Sequence, residues 1–282
     1  MARNTFIKKV GFFAAVFSIF AFGHAHAGGS WTGLYFGGNA GYAWGSTNNT
    51  LNIADDGGVA CHFCFASDIT SAGGNGSSSF SPKGFTGGAQ VGYNWQASNL
   101  VYGAELDFEA FSQQQTVNSS FGLPASTGSV VACGVGINCV GNFATSVKTN
   151  WLLTFRPRVG YAFDNTLIYI TGGLALTDLS LSQTYSDNIN FGAATGGNLS
   201  VSSSQTKVGW VVGGGLEQAI GNQWSLKAEY LYTRFDGTST NDRLSHSFPG
   251  GVDGAGFSNS LDHLSSSIVR VGFNYKFGAL IP

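Results

Sequence analysis

Ile268-Val269-Arg270-Val271-Gly272-Phe273-Asn274-Tyr275-Lys276-Phe277 is the stretch on which the fold turns. Taken every second residue, Val269, Val271, Phe273, Tyr275 and Phe277 form one series. Arg270, Gly272, Asn274 and Lys276 form the other. A strand sends alternate side chains to opposite faces, so this segment is apolar on one side and polar or charged on the other. In a soluble sandwich the apolar face would point at a core. In a transmembrane barrel it points at lipid while the polar face lines the interior. The rest of the chain decides between the two.

The N-terminus reads as an export signal. Arg3, Lys8 and Lys9 precede an uncharged apolar run, Val10 to Gly23, and Ala25-His26-Ala27 offers a small-x-small cleavage site. The run is shorter than the roughly 20 apolar residues a membrane helix needs. We expect residues 1–27 to be a signal peptide and 28–282 the mature domain, with no linker or second domain. Loss of three cations leaves ten basic and fifteen acidic groups, a formal charge of −5 that argues against a nucleic-acid partner. An exported chain with 42 glycines, 14% aromatics and 10% charged residues, against about 25% charged in an average soluble protein, and with no second long apolar run, has the composition of an outer-membrane barrel.

Eight alternating segments follow from the pattern. They are Trp31–Gly45, Lys83–Trp95, Leu100–Phe111, Val147–Phe163, Thr166–Asp178, Lys207–Ala219, Trp224–Phe235 and the closing strand. In the fifth, the apolar phase is set by Ile168, Ile170, Leu174 and Leu176. Three connections are short (96–99, 164–165, 220–223) and four are long (46–82, 112–146, 179–206, 236–263). The long ones are rich in Ser, Gly, Asn and Thr, and their low hydrophobicity suggests partial disorder. Alternation of long and short connections is the pattern of extracellular loops and periplasmic turns. The expected fold is all-β: an eight-stranded antiparallel transmembrane up-and-down barrel with both termini on the periplasmic side.

Charge placement offers a separate argument. Glu105, Asp107, Glu109, Arg156, Arg158, Glu217, Lys227, Glu229, Arg270 and Lys276 all fall on the phase opposite the apolar face. A cation facing lipid at the midplane costs about 2–4 kcal/mol, so these ten are expected inside the barrel. The third segment is acidic there and the fourth basic, and Lys227 and Glu229 lie beside Arg270, which suggests ion pairs between neighbouring strands. Trp31, Trp95 and Trp224 fall at the periplasmic ends, and Trp44, Trp151 and Trp210 toward the extracellular ends, as two aromatic girdles would. Pro157 interrupts the fourth segment, and a closed barrel has no free edge to hide it. A bulge or a missing ladder bond is expected there.

The opening Trp31-Thr32-Gly33-Leu34-Tyr35-Phe36-Gly37-Gly38-Asn39-Ala40-Gly41-Tyr42, the second-strand Phe85-Thr86-Gly87-Gly88-Ala89-Gln90-Val91-Gly92-Tyr93-Asn94-Trp95 and the closing strand resemble the RopB-like family of small alphaproteobacterial outer-membrane surface proteins. The resemblance spans the mature chain. It implies an eight-stranded barrel like the OmpA membrane domain, residence in the outer membrane, and a closing-strand signal, here Tyr275 and Phe277, read by the barrel-insertion machinery. It also implies envelope integrity, host-surface contact or haemin-type ligand binding as roles. Family members usually end on the terminal aromatic, whereas Gly278 to Pro282 follow it here.

Other chemistry is thinly represented. Cys61, Cys64, Cys133 and Cys139 lie in the first two long connections. In an oxidising compartment they are disulfide candidates, as two local pairs or as cross-loop pairs. Cys61-His62-Phe63-Cys64 lacks the further ligands of a zinc site, so neither metal nor cofactor is expected. His263 and Ser265 share a face but have no acidic third member, since Asp262 points the other way; no catalytic residue is assigned and no enzyme is expected. Arg234, on the outward phase near the extracellular end, reads equally as a solvated side chain or as a contact for lipopolysaccharide phosphate. Outer-membrane lipid and lipopolysaccharide are therefore expected partners. Three functional readings remain: a surface protein acting through its loops, a small ion-conducting pore made roomy by inward Gly37, Gly41, Gly88, Gly92, Gly103, Gly160 and Gly272, and capture of a haemin-type or host ligand.

Overall fold

The computed structural model describes residues 30–55, 66–123, 139–188, 190–191, 194–195, 197–248 and 251–277. Eight strands form its wall: β1 (Gly33–Asp55), β2 (Lys83–Ala97), β3 (Leu100–Leu123), β4 (Cys139–Phe163), β5 (Thr166–Asp187), β6 (Asn198–Ala219), β7 (Trp224–Phe235) and β8 (Leu264–Lys276). Each pairs antiparallel with the next. β1 also pairs with β8, from Tyr35↔Lys276 to Ser46↔Ser265, and this closes the ring. Closure leaves the wall without a free sheet edge, which a bilayer demands.

Short turns reverse the chain at one end. Ser98 (φ 56°) and Asp164 (φ 50°) adopt left-handed backbone in the two-residue turns before β3 and β5. Such turns match the twist of the strands they join. The outward phase carries a belt of exposed apolar side chains, including Phe36, Phe85, Phe108, Phe155, Ile170, Leu174, Val212 and Phe273, which are 47–78% exposed. In water such a belt would be untenable; facing lipid it is required. The fifth segment holds the phase read from Ile168, Ile170 and Leu174.

Two expectations need correction. The strands do not stop where hydrophobicity falls: β3 to β6 run 22–25 residues, against about 9–11 needed to cross a membrane. Much of what reads as polar loop is strand standing above the belt. The first connection also carries a helix, α1 (Ala66–Gly76), and a short strand at Ser78–Phe80. The last contains a hairpin, Thr238–Phe248 with Gly251–Leu261, whose second strand pairs with the upper half of β1.

Second, Trp31 is no girdle residue. It is buried among Val101, Ala162, Leu167 and Tyr169 and plugs the periplasmic end from within. Trp95, Trp210 and Trp224 are 41–47% exposed on the outer face, and Trp44 and Trp151 are half-buried there.

At Pro157 the expected gap in the ladder is present, and there is no bulge. The β4–β5 register is the same on both sides of it (Phe155↔Leu174, Arg158↔Thr171), with Arg156 and Pro157 dropping out of the ladder. The Thr171 hydroxyl donates to the Pro157 carbonyl at 2.9 Å. The bulge lies higher, between Lys148 and Leu152. It reverses the phase of β4, so Val147, outward by the phase of Trp151 and Leu153, is fully buried.

Some of the inward glycines are covered by side chains. A Cβ on Gly92 would overlap the Tyr35 ring, and one on Gly37 the Asn274 carboxamide. Neighbouring side chains fill the space that glycine frees, as they do in eight-stranded barrels generally. Residues 1–29, Cys61, Cys64, Cys133 and the residues from Gly278 onward lie outside the described residues; Cys139 is described only as the first residue of β4.

Candidate functional site

The interior is layered, and the central layer carries the charge. Glu105, Asp107 and Glu109 come from β3, Arg156 and Arg158 from β4, Glu217 from β6, Lys227 and Glu229 from β7 and Arg270 from β8; all nine are buried. Arg156 sits among three carboxylates. Its Nη2 reaches Glu105 at 2.5 Å and Asp107 at 2.8 Å, and its Nη1 reaches Glu229 at 3.1 Å. Arg270 donates from Nε to Glu229 at 2.7 Å and from Nη1 to Glu109, and its Nη2 forms an ion pair with Asp107 at 2.7 Å. Lys227 crosses the barrel to chelate Glu105 at 2.9 and 3.0 Å. Arg158 bonds Glu217 at 3.0 Å and stacks between the rings of Tyr35 (4.7 Å) and Tyr169 (5.1 Å).

Hydroxyls and amides extend the lattice, while Asp107 Oδ1, Arg156 Nε, Arg158 Nη2 and Arg270 Nη2 are buried without a hydrogen-bond partner among the described residues. Tyr35 donates to Glu105 (2.8 Å), Tyr169 to Glu229 (3.0 Å), Thr86 to Glu109 (2.5 Å) and Thr154 to Asp107 (2.9 Å). Ser225 and Asn274 donate to Glu217 at 2.5 and 2.7 Å. Five carboxylates face four cations, close to neutrality. Buried ions are tolerated only when paired and hydrogen-bonded to this degree. Some pairs are strand neighbours in register, such as Glu105↔Arg156 and Glu229↔Arg270. Others are chords across the lumen, which neighbour reasoning cannot find. Lys276 stands apart: half-buried at the periplasmic end, it donates to the Ser30 carbonyl and lines a small cavity of about 40 Å³.

Above the charges lies an apolar layer that includes Phe111, Val147, Leu152, Leu179, Val211, Leu231 and Ile268, each at most 2% exposed. A polar seam follows, in which Asn49 donates to Asn259 (3.1 Å), Asn259 to Gln183 (2.8 Å) and Gln183 to Thr145 (2.8 Å). The same Asn49 and Gln183 amides bind the last carbonyl of α1, at Gly76 (3.4 and 3.2 Å). Over the seam a second core packs Phe121, Phe143, Tyr185, Leu244 and Phe257 against Ala72 of α1. Burial, and then the Asp187 carboxylate, push the Tyr185 phenol pKa up from its ordinary value. We call this upper region the crown.

Of the other candidate residues, Tyr275 and Phe277 meet edge to face at 5.0 Å, and Tyr275 meets Trp224 in the same way, also at 5.0 Å, on the outer periplasmic edge. His263 is exposed just before β8 and Ser265 is half-buried. Ser266 is the buried member of that serine run and donates to Gln113 at 2.8 Å. Sequence reasoning missed Asp178. It sits on the outward phase of β5 and accepts the amides of Asn150 (2.7 Å) and Trp151 (3.0 Å) at the β4 bulge. A lone carboxylate on an otherwise apolar phase was the available signal.

A closed eight-stranded ring with a lipid-facing belt and an ion-paired lumen defines an integral outer-membrane β-barrel. Residues 12–277 match the outer membrane protein beta-barrel domain family, and the chain belongs to it. The chain is 35% identical over 250 residues to the 31 kDa outer-membrane immunogenic protein of Brucella melitensis biotype 1, covering 88% of this chain and 84% of that one. It is 27% identical over 249 residues to the 22 kDa outer membrane protein of Rhizobium leguminosarum bv. viciae, covering 88% and 79%. Among solved structures it is similar to Neisserial surface protein A, at 14% identity and a TM-score of 0.36, covering 87% of this chain and 98% of that one. The protein resides in the outer membrane.

Proposed function

We propose that the barrel is a closed, non-conducting anchor and that the crown is its working part. The observation that carries this reading is the double seal. An ion must break the salt-bridge lattice around Arg156 and then cross the apolar layer of Phe111, Leu152, Leu179 and Ile268. Desolvating an ion in such a layer is prohibitive. The protein then serves envelope integrity and surface contact. The barrel-insertion machinery reads Tyr275 and Phe277, and host surfaces or a haemin-type ligand meet the crown. No catalytic role is assigned to any residue.

The test is single-channel conductance of the refolded mature protein in a planar bilayer, beside the variant Glu105→Gln with Glu229→Gln. A silent wild type, with the barrel folded as judged by its heat-shifted electrophoretic mobility, is the expected result. Discrete openings in the wild type whose ion selectivity changes in the variant would replace the anchor with a pore.

A further inference from the structure

The outer face of the crown has a chemistry of its own. Pairing of β3 to β6 above the belt places their outward residues in rows, such as Thr116↔Ser146↔Ser182↔Ser202. In the four rows from Gln114 to Ser120, every outward residue is Ser, Thr, Asn or Gln except Lys148 and Ala144. Hydroxyls and carboxamides both donate and accept. Some already bond within the face, as Thr116 with Ser146 (3.1 Å) and Ser180 with Ser204 (2.9 Å). The result is a flat grid without a carboxylate.

The base of the grid is cationic. Lys83 and Lys148 both flank Gln114 in register, about 10 Å apart at two strand spacings. Both are exposed, and neither has a carboxylate partner among the described residues. Trp44 is the register partner of Lys83. Asp178, on the same outward phase nearby, is occupied by the Asn150 and Trp151 amides. Directly below, the same phase becomes the lipid-facing belt of Phe108, Leu174 and Val208. One face therefore runs without a break from apolar, through cationic, to neutral hydrogen-bonding.

We propose that this face of β2 to β6 is a footprint for the phosphorylated glycolipid of the outer leaflet. Acyl chains lie on the belt, phosphate meets Lys83 and Lys148, and the sugar chain lies along the grid. Ordinary phospholipid satisfies only the lower part, because it has no sugar chain to fill the rows above. The proposal rests on placement in the outer membrane and not on the closed interior, so a conducting barrel would leave it standing.

The experiment folds the mature protein into phosphatidylcholine vesicles containing lipopolysaccharide, the same lipopolysaccharide stripped of phosphate, or phosphatidylglycerol. The lipid retained after mild detergent extraction is then measured. Lipopolysaccharide is expected to be retained over phosphatidylglycerol, and retention to fall about tenfold or more in Lys83→Gln with Lys148→Gln. Removal of phosphate from the lipid should cost as much. Ser182→Asp with Ser202→Asp should weaken retention of sugar-bearing lipopolysaccharide and spare lipid A without sugars. A folded Lys83→Gln, Lys148→Gln barrel that retains lipopolysaccharide like the wild type would overturn the proposal. So would equal retention of phosphatidylglycerol. Equal losses for both lipids in the aspartate variant would remove the grid from the footprint.

Discussion

The lower and upper halves of this molecule are built from the same strands with opposite polarity. In the membrane, β4 points Phe155 and Val159 outward and Arg156 and Arg158 inward. Above it, β4 points Asn142 and Ser146 outward and buries Phe143 and Val147. β5 makes the same change, from Ile170 outside and Thr171 inside to Ser182 outside and Leu181 inside. Two-fold alternation holds on either side of the β4 bulge; what changes is the medium outside. Lipid asks for an apolar exterior, so polar groups gather inside and must satisfy one another. Water lets the exterior be polar, so an ordinary apolar core forms within. The crown is thus a small soluble domain continuous with a membrane protein, and the two halves should fail in different ways.

The largest difference should come from Arg156. Arg156→Met removes one cation from three buried carboxylates and is expected to destabilise the barrel by about 3–5 kcal/mol. Urea unfolding in phospholipid vesicles, followed by tryptophan fluorescence, measures it. A loss below about 1 kcal/mol would mean that water reaches the lumen and screens the charges, which would reopen the channel reading.

The exterior gives the next contrast. Ile170→Lys places a cation in lipid and should cost about 2–4 kcal/mol. Thr184→Lys, on the same phase of the same strand but above the belt, should change stability by less than about 0.5 kcal/mol. Equal costs at both sites would mean that the crown, too, lies in an apolar medium and that the boundary is drawn in the wrong place.

How much of this was legible depends on amplitude. Across the belt, alternation between residues as different as Phe155 and Arg156 is loud, and both strand phase and inward charges can be read from it. In the crown the same alternation sets Leu179 and Leu181 against Ser180 and Ser182, and the serines mimic a loop. The layers were hidden for another reason. Neighbouring strands can be inferred from order, so Glu105 beside Arg156 is readable, but Lys227 reaching Glu105 across the lumen depends on barrel diameter. Trp31 was misread because position along the strand says nothing of whether a residue just before it folds inward. The phase reversal in β4 was invisible because Asn150 and Trp151 both face outward, and no local residue announces that.

Asp178 makes that reversal possible, and it supplies the smallest and most local of these contrasts. At the boundary between the halves, β4 must change phase to bring Val147 inside, and the bulge frees backbone groups from the ladder. Asp178 takes the Asn150 and Trp151 amides, while Thr177 and Thr149 donate to the Trp151 and Phe111 carbonyls at 2.6 and 2.9 Å. Asp178→Ala leaves two amides without their acceptor and should cost about 1–3 kcal/mol. The loss should be local: amide exchange should quicken at Asn150 and Trp151 and through the upper part of β4, while the Arg156 lattice stays protected. Asp178→Asn keeps one acceptor oxygen and should recover part of the loss. If exchange quickens equally in both halves, the bulge is no boundary, and crown and barrel unfold as one unit.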